Sequence, residues 1–159
     1  MQWMASYAIT HRRPLHFCRT GAGATTVTHV DATMADQPDM ASHYGYWQGC
    51  CNASLCWRAF SGHQVHAATR GPELVAAVAG THVSMYQRLL MYEARLGRLP
   101  GDIIMPIFMD NTASLANATA ENIHLGSRHL AIRSGVIRQA VRDLIIKPAY
   151  INTTQNVAD

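Results

Sequence analysis

A chain of 159 residues, 48% hydrophobic and only 14% charged, carries enough apolar material for one core without disulfide staples, and too much of it for a disordered segment. Thirteen basic against ten acidic residues leave a formal charge of +3, a mild excess compatible with a phosphate-bearing partner and no more. No run approaches eighteen apolar residues and no charged stretch leads into an apolar one at the start, so neither a membrane span nor a secretory leader is expected.

In chain order, the residues up to about Val65 read as β-rich. Thr25-Thr26-Val27-Thr28-His29-Val30 alternates β-branched side chains, the habit of a strand, and delivers Asp31 at its end. Asp36-Gln37-Pro38-Asp39 is a turn signal. Tyr44 to Gln48 and Ser54 to Phe60 read as the second and third strands, with Gly49 to Ala53 as their hairpin connection. Pro72 suits a helix start, where its missing N–H costs nothing and its φ is already helical. Leu74, Val75, Val78, Val83, Tyr86, Leu89, Leu90 and Leu96 then recur near three-and-four spacing. Gly80 interrupts them, which leaves room for a kink or break, and Gly97 and Pro100 end the element.

Ile103 to Met109 is a continuous apolar run ahead of Asp110, expected of a strand buried on both faces, with Pro106 weakening its first half. Thr112 to Ala120 is Ala-rich and helical. Leu130 to Leu144 is amphipathic, with Leu130, Val136, Ile137, Val141 and Leu144 facing inward. Ile145 to Ile151 reads as a last strand. Strands, helix, strand, helices, strand: the order predicts an α/β fold in three layers.

Cysteines stand at 18, 50, 51 and 56, a pattern unlike a secreted disulfide framework. A zinc module would draw on Cys51, Cys56, His63 and His66, but that spacing matches no common finger, and reduced, half-buried thiols are the simpler expectation. Trp57 and Tyr46 are expected to pack in the core or on a sheet face rather than to stack bases.

With ten acids in all, their positions are informative. Asp31 and Asp110 each close a strand, Glu73 lies in the first turn of the long helix, and Asp159 is the last residue. Strand-end carboxylates with a helical one above them suit hard divalent cations, since Mg²⁺ prefers oxygen ligands and keeps water in the rest of its shell. Two such ions about 3.5–4 Å apart activate water and stabilise a leaving oxygen. The plainer alternative remains open at this point: a turn aspartate, a first-turn acid favoured by the helix dipole, and a solvated terminus.

From about Ser6 to Asp159 the sequence resembles the ribonuclease H domain of copia-type LTR-retrotransposon Pol polyproteins. Val30-Asp31-Ala32-Thr33 is similar to the family's strand motif Y/V-D-A-S/D. Ser42-His43-Tyr44-Gly45-Tyr46 resembles S-x-x-G-Y, and Trp57, twelve residues past Gly45, stands where the family has I-S-W, with Gln64 at the following K-Q. Ala68 to Leu74 takes the place of S-S-x-E-A-E-Y, with Glu73 on the second Glu, and Tyr86-Gln87-Arg88-Leu89-Leu90 resembles W-L-R-x-L-L. Asp110-Asn111 matches D-N, and His124 follows Asp110 at the family's interval of fourteen. His124 to Leu130 stands for H-x-R-T-K-H-I, Gly135 to Gln139 for H-F-I-R-E, and Tyr150 to Asp159 tracks Y-I-P-T-x-x-Q-x-A-D in register. Ala120-Glu121 replaces the family's N-P, Gly71 the first Glu of E-A-E, Gly126 an Arg, Arg128 a Lys, and Asn152 and Asn156 the Pro and Gln of the last motif.

The resemblance implies an RNase H-like three-layer fold, a five-stranded mixed sheet flanked by helices, with the final helix truncated at Asp159. It implies residues 1–20 as the remaining connection to a preceding reverse transcriptase domain, Arg12 and Arg13 included, and residues 21–159 as the RNase H-like domain. Asp31, Glu73, Asp110 and Asp159 fall on the family's D-E-D-D tetrad, which holds two Mg²⁺ (Mn²⁺ can substitute). The implied activity is endonucleolytic hydrolysis of the RNA strand of an RNA–DNA hybrid during reverse transcription. Asp31 would bridge both ions with Asp110, Glu73 would hold one on the ribose 2′-OH side, and Asp159 the other near the attacking water. The implied partners are the hybrid and the reverse transcriptase domain of the same polyprotein, with no membrane, in a cytoplasmic retrotransposon particle. The alternative is a non-catalytic, hybrid-binding or decayed domain of the same fold. His124, Arg128 and His129 are expected to be structural or hybrid-contacting. Arg128, Arg133, Arg138 and Arg142 either touch phosphates or line a solvated helix face.

Overall fold

A computed structural model of the chain describes residues 26–34, 41–50, 53–62, 69–93, 103–120 and 128–159, and at 128 and 129 the backbone only. The strands are β1 (Thr26–Thr33), β2 (Ser42–Cys50), β3 (Ala53–Gly62), β4 (Met105–Met109) and β5 (Ile146–Tyr150). The helices are α1 (Arg70–Glu93), α2 (Thr112–Thr119) and α3 (Arg128–Arg142), and a short 3₁₀ turn spans Thr153–Gln155. The expected turn at residues 36–39, the helix end at Gly97 and Pro100, the segment 1–20 and the residues Cys51, His63 and His66 lie outside the described residues.

The strands form one mixed sheet in the order β3-β2-β1-β4-β5, antiparallel across β3-β2-β1 and parallel across β1-β4-β5. The strand expected over Thr26 to Val30 forms: Thr28 and Val30 are fully buried and face α1, and His29 between them is buried as well. Helix α1 runs back along β1. Met91 Sδ accepts from Thr26 Oγ1 at 3.5 Å, Ser84 and Thr28 share a hydroxyl hydrogen bond at 2.9 Å, and Gly80 abuts Val30. This antiparallel run carries the first turn of α1, and Glu73 with it, to the C-terminal end of β1. Val30, Leu74, Met105, Ile107, Met109, Ile137 and Ile146 form the core between sheet and helices. None of the described helices is long and apolar enough to cross a membrane.

Several local expectations change. Helix α1 is unbroken through Gly80, whose role is close approach: a Cβ there would lie 2.4 Å from Val30 Cγ1. Burial in β4 alternates, with Met105, Ile107 and Met109 buried and Pro106 and Phe108 half-buried, so the strand is not closed off equally on both faces. Pro106 lies inside β4 without loss. The Met105 N–H donates to Ile145 on the β5 side at 2.9 Å, so the next nitrogen faces the β1 side, ahead of the first β1–β4 pair at Ile107.

Leu144 is exposed rather than inward, with φ 53°. It occupies the left-handed position that closes α3: Ile145 N–H reaches Ala140 O at 2.9 Å and Leu144 N–H reaches Val141 O at 3.1 Å, the paired bonds of a Schellman cap. Trp57 is 68% exposed on the edge strand β3, so it is not a packing residue, whereas Tyr46 packs against the core. Arg138 is buried with its Nε donating to Ser134 O at 3.2 Å, which removes it from a phosphate-contacting or solvated face; Arg142 is exposed.

Candidate metal centre

Parallel pairing of β1 with β4 runs through Thr28–Ile107 and His29–Phe108. Asp31 and Asp110 each stand two residues past the last pair, at the ends of two neighbouring parallel strands. Asp31 is still within β1, which continues to Thr33 alongside β2. Asp110 ends the apolar run of β4, and the chain turns at once into α2 because Asn111 caps it, its side-chain oxygen accepting from Ser114 N–H at 3.0 Å. Glu73 joins them from above. Asp31, Glu73 and Asp110 each offer a carboxylate oxygen, and the three oxygens lie within 4.8 Å of one another. Among the described residues this is the one such group of His, Cys, Asp or Glu.

The electrostatics of the trio are unfavourable on their own. Glu73 is 6% exposed, and its Oε2 is buried without a hydrogen-bond partner. Burial, reinforced by the charges of Asp31 and Asp110, pushes the Glu73 carboxyl up to about 8. Burial also raises Asp31, with the charges of Asp110 and then Asp159 adding to it and the Ala32 amide opposing. Like charges drawn together around an orphaned oxygen are what a cation relieves, and an all-carboxylate donor set suits a hard divalent ion. The residues present therefore fit a hard divalent cation.

Asp159 stands outside this trio. It is exposed, its N–H donates to Asn156 O at 3.3 Å, and it reaches Asp31 through its charge. The end of the chain nevertheless lies over the site: Gly45 pairs with Asp31 in register, and a Cβ on Gly45 would sit 3.3 Å from Ala158 O. Arg128 and His129 open α3, but their side chains, and His124 entirely, lie outside the described residues.

Two contacts near the site escape sequence reasoning. Thr153 Oγ1 donates to Asp110 Oδ2 at 2.9 Å, and buried Asn156 donates through Nδ2 to Val30 O at 3.1 Å. Their one signal in the sequence is the run Tyr150 to Asp159, in which Asn156 stands where the resembled family has Gln. Behind Asp31 on β1, His29 is buried between Trp47 and Phe108, with ring centroids 5.4 and 5.1 Å away. Burial lowers its pKa, against the opposing influence of the Asn156 side chain. Of the zinc candidates only Cys56 is described, a half-buried thiol whose Sγ donates to Gln48 Oε1 at 3.5 Å.

The five-stranded mixed sheet flanked by helices, with acids at its parallel strand ends, defines an RNase H-like fold. Solved structures with this fold bear that out. LC11-RNase H1 in complex with an RNA/DNA hybrid superposes with TM-score 0.61 and 10% identity, over 84% of this chain and 89% of that one. The N-terminal RNase H domain of a Mycobacterium tuberculosis protein, fused to maltose-binding protein, gives 0.60 and 13%, over 86% and 89%. RNase H1 from the halophilic archaeon Halobacterium salinarum gives 0.58 and 10%, over 83% and 89%. At these identities the likeness is one of fold. No family model and no curated protein matches the chain.

Proposed function

We propose that this chain is a divalent-cation-dependent nuclease of the RNase H type, cutting the RNA strand of RNA–DNA hybrids. The observation that carries the reading is the convergence of Asp31, Glu73 and Asp110 within 4.8 Å, from two parallel strand ends and one helix, in an RNase H-like fold. Mg²⁺ bound there supplies Lewis-acid activation of water and charge stabilisation at phosphorus. Asp31 and Asp110 would hold the cations from the sheet, and Glu73 would hold one from the helix. Asp159, whose charge reaches Asp31, would complete the set from the end of the chain. The burial of Glu73 keeps bulk water from its orphaned oxygen.

The ordered motif resemblance supports a place in a copia-type Pol polyprotein. There the hybrid and the neighbouring reverse transcriptase domain are its partners, residues 1–20 form the connection to that domain and 21–159 the nuclease, within a cytoplasmic particle. The hybrid bound to LC11-RNase H1 supports the substrate class. A labelled RNA–DNA hybrid, incubated with Mg²⁺ or Mn²⁺ and with or without EDTA, tests the reading. RNA-strand cleavage that EDTA stops is expected, and a fully intact RNA strand in every condition would sink it. The exposed position of Asp159, outside the trio, favours a second reading, a domain of this fold that grips hybrid without cutting. Retarded hybrid migration with no product would select it.

A further inference from the structure

Resting on the metal centre proposed above, we infer that Thr153 is a positioning residue, which orients Asp110 for cation binding through its hydroxyl. The segment after β5 is built to deliver that hydroxyl. Ile151 N–H donates to Met109 O at 3.0 Å, extending the β4–β5 ladder to the residue before Asp110. Asn152 then starts the turn, its Oδ1 accepting from Thr154 N at 3.0 Å and from Thr154 Oγ1 at 2.9 Å. Asn156 anchors the far end of the turn on β1 through Val30 O, the residue before Asp31. A single short turn is thus fastened beside both strand-end aspartates, and Thr153 Oγ1 meets Asp110 Oδ2 at 2.9 Å, across forty-three residues of sequence.

The chemistry of the donor matters. A Lys or Arg in that place would neutralise Asp110 and compete with the cation. A hydroxyl donates one hydrogen bond without adding charge, so the carboxylate stays anionic and keeps most of its lone pairs for a metal. Holding one oxygen also restrains rotation of the carboxylate, which would otherwise let Asp110 swing away from Asp31 and Glu73. Partners of this kind, behind the ligands themselves, typically change metal affinity by about 10–100-fold.

Thr153 is exposed, so its replacement leaves the core intact. Mn²⁺ binding to the whole chain is measured by titration calorimetry for wild type, Thr153→Val, Thr153→Ser and Asp110→Asn, with circular dichroism to check the fold. Thr153→Val is expected to weaken Mn²⁺ binding about tenfold or more, while Thr153→Ser, which keeps the hydroxyl, stays within about twofold of wild type. Wild-type affinity in Thr153→Val, or equal weakening in both variants, overturns the positioning role. If Asp110→Asn binds Mn²⁺ as well as wild type does, the metal centre itself fails; if it loses binding while Thr153→Val does not, only the role of Thr153 fails.

Discussion

Gly80 of α1 and Val30 of β1 touch so closely that a single added carbon on the glycine would lie 2.4 Å from Val30 Cγ1 and 3.4 Å from Thr28 Cγ2. Val30 is fully buried and its branched side chain is stiff, so the strand cannot yield cheaply. Alanine in mid-helix normally gains up to about 1 kcal/mol over glycine, and overpacking costs roughly 1–3 kcal/mol. Gly80→Ala is therefore expected to destabilise the chain by about 1–2 kcal/mol, read as a lower urea midpoint. A stabilised variant would show that the helix lifts from the sheet at no cost.

Protonation of Glu73 gives the cation-free protein an unusual pH dependence. Its carboxyl ionises near 4.5 when unfolded and is held up to about 8 when folded. Between those values the native state keeps a proton that the unfolded chain has lost. The stabilisation is full below about pH 4.5, declines as pH rises, and is gone above about pH 8, at up to roughly 1.4 kcal/mol per pH unit. Asp31 is shifted in the same direction. In EDTA, the difference in urea midpoint between wild type and Glu73→Gln should therefore widen from pH 5 to pH 8, with wild type the one that falls. Added Mg²⁺ should narrow that gap at pH 8 by supplying the missing positive charge. A gap independent of pH would mean that Glu73 is already ionised in the folded chain.

Asp110→Asn separates binding from stability. It removes a charge that raises both Asp31 and Glu73 while keeping the size of the side chain. Without metal the variant should melt at a slightly higher temperature, the gain being about 1 kcal/mol or less, and it should lose divalent-dependent cleavage of hybrid. Retained cleavage would exclude Asp110 from the chemistry.

Leu144 offers a gain of a different kind. It is an exposed β-carbon residue at φ 53°, the position of a helix cap that glycine fills most easily. Leu144→Gly should stabilise the chain by about 1 kcal/mol, relieving the left-handed backbone at little cost in burial. A fall in melting temperature would show that the leucine side chain contributes a contact worth more than the strain.

Much of this architecture was legible because it is local. The alternation of Thr26 to Val30, the apolar run before Asp110 and the proline near the start of α1 each announce an element from neighbours a few residues apart. What was misread depended on distant partners. Gly80 looks like a weak point until the strand beneath it is known, since a missing side chain does not say what fills its place. Leu144 scores as core by apolarity, yet the end of α3 falls just before it. Pro106 weakens a strand only where its nitrogen faces a paired neighbour, and that depends on where β1 begins to pair. At the site, the acids that come together were visible as strand ends and a first-turn glutamate. The hydroxyl of Thr153 was not, because its link to Asp110 exists only after two helices and a strand have folded between the two residues.

The brief ladder between β1 and β4 has a mechanical meaning. It is the seam along which the antiparallel half of the sheet meets the parallel half, and the acids sit where that seam opens. An ion shared by Asp31 and Asp110 would act as a rivet across it, so occupancy should slow amide exchange in both strands at once and tie the rigidity of the whole sheet to its cargo.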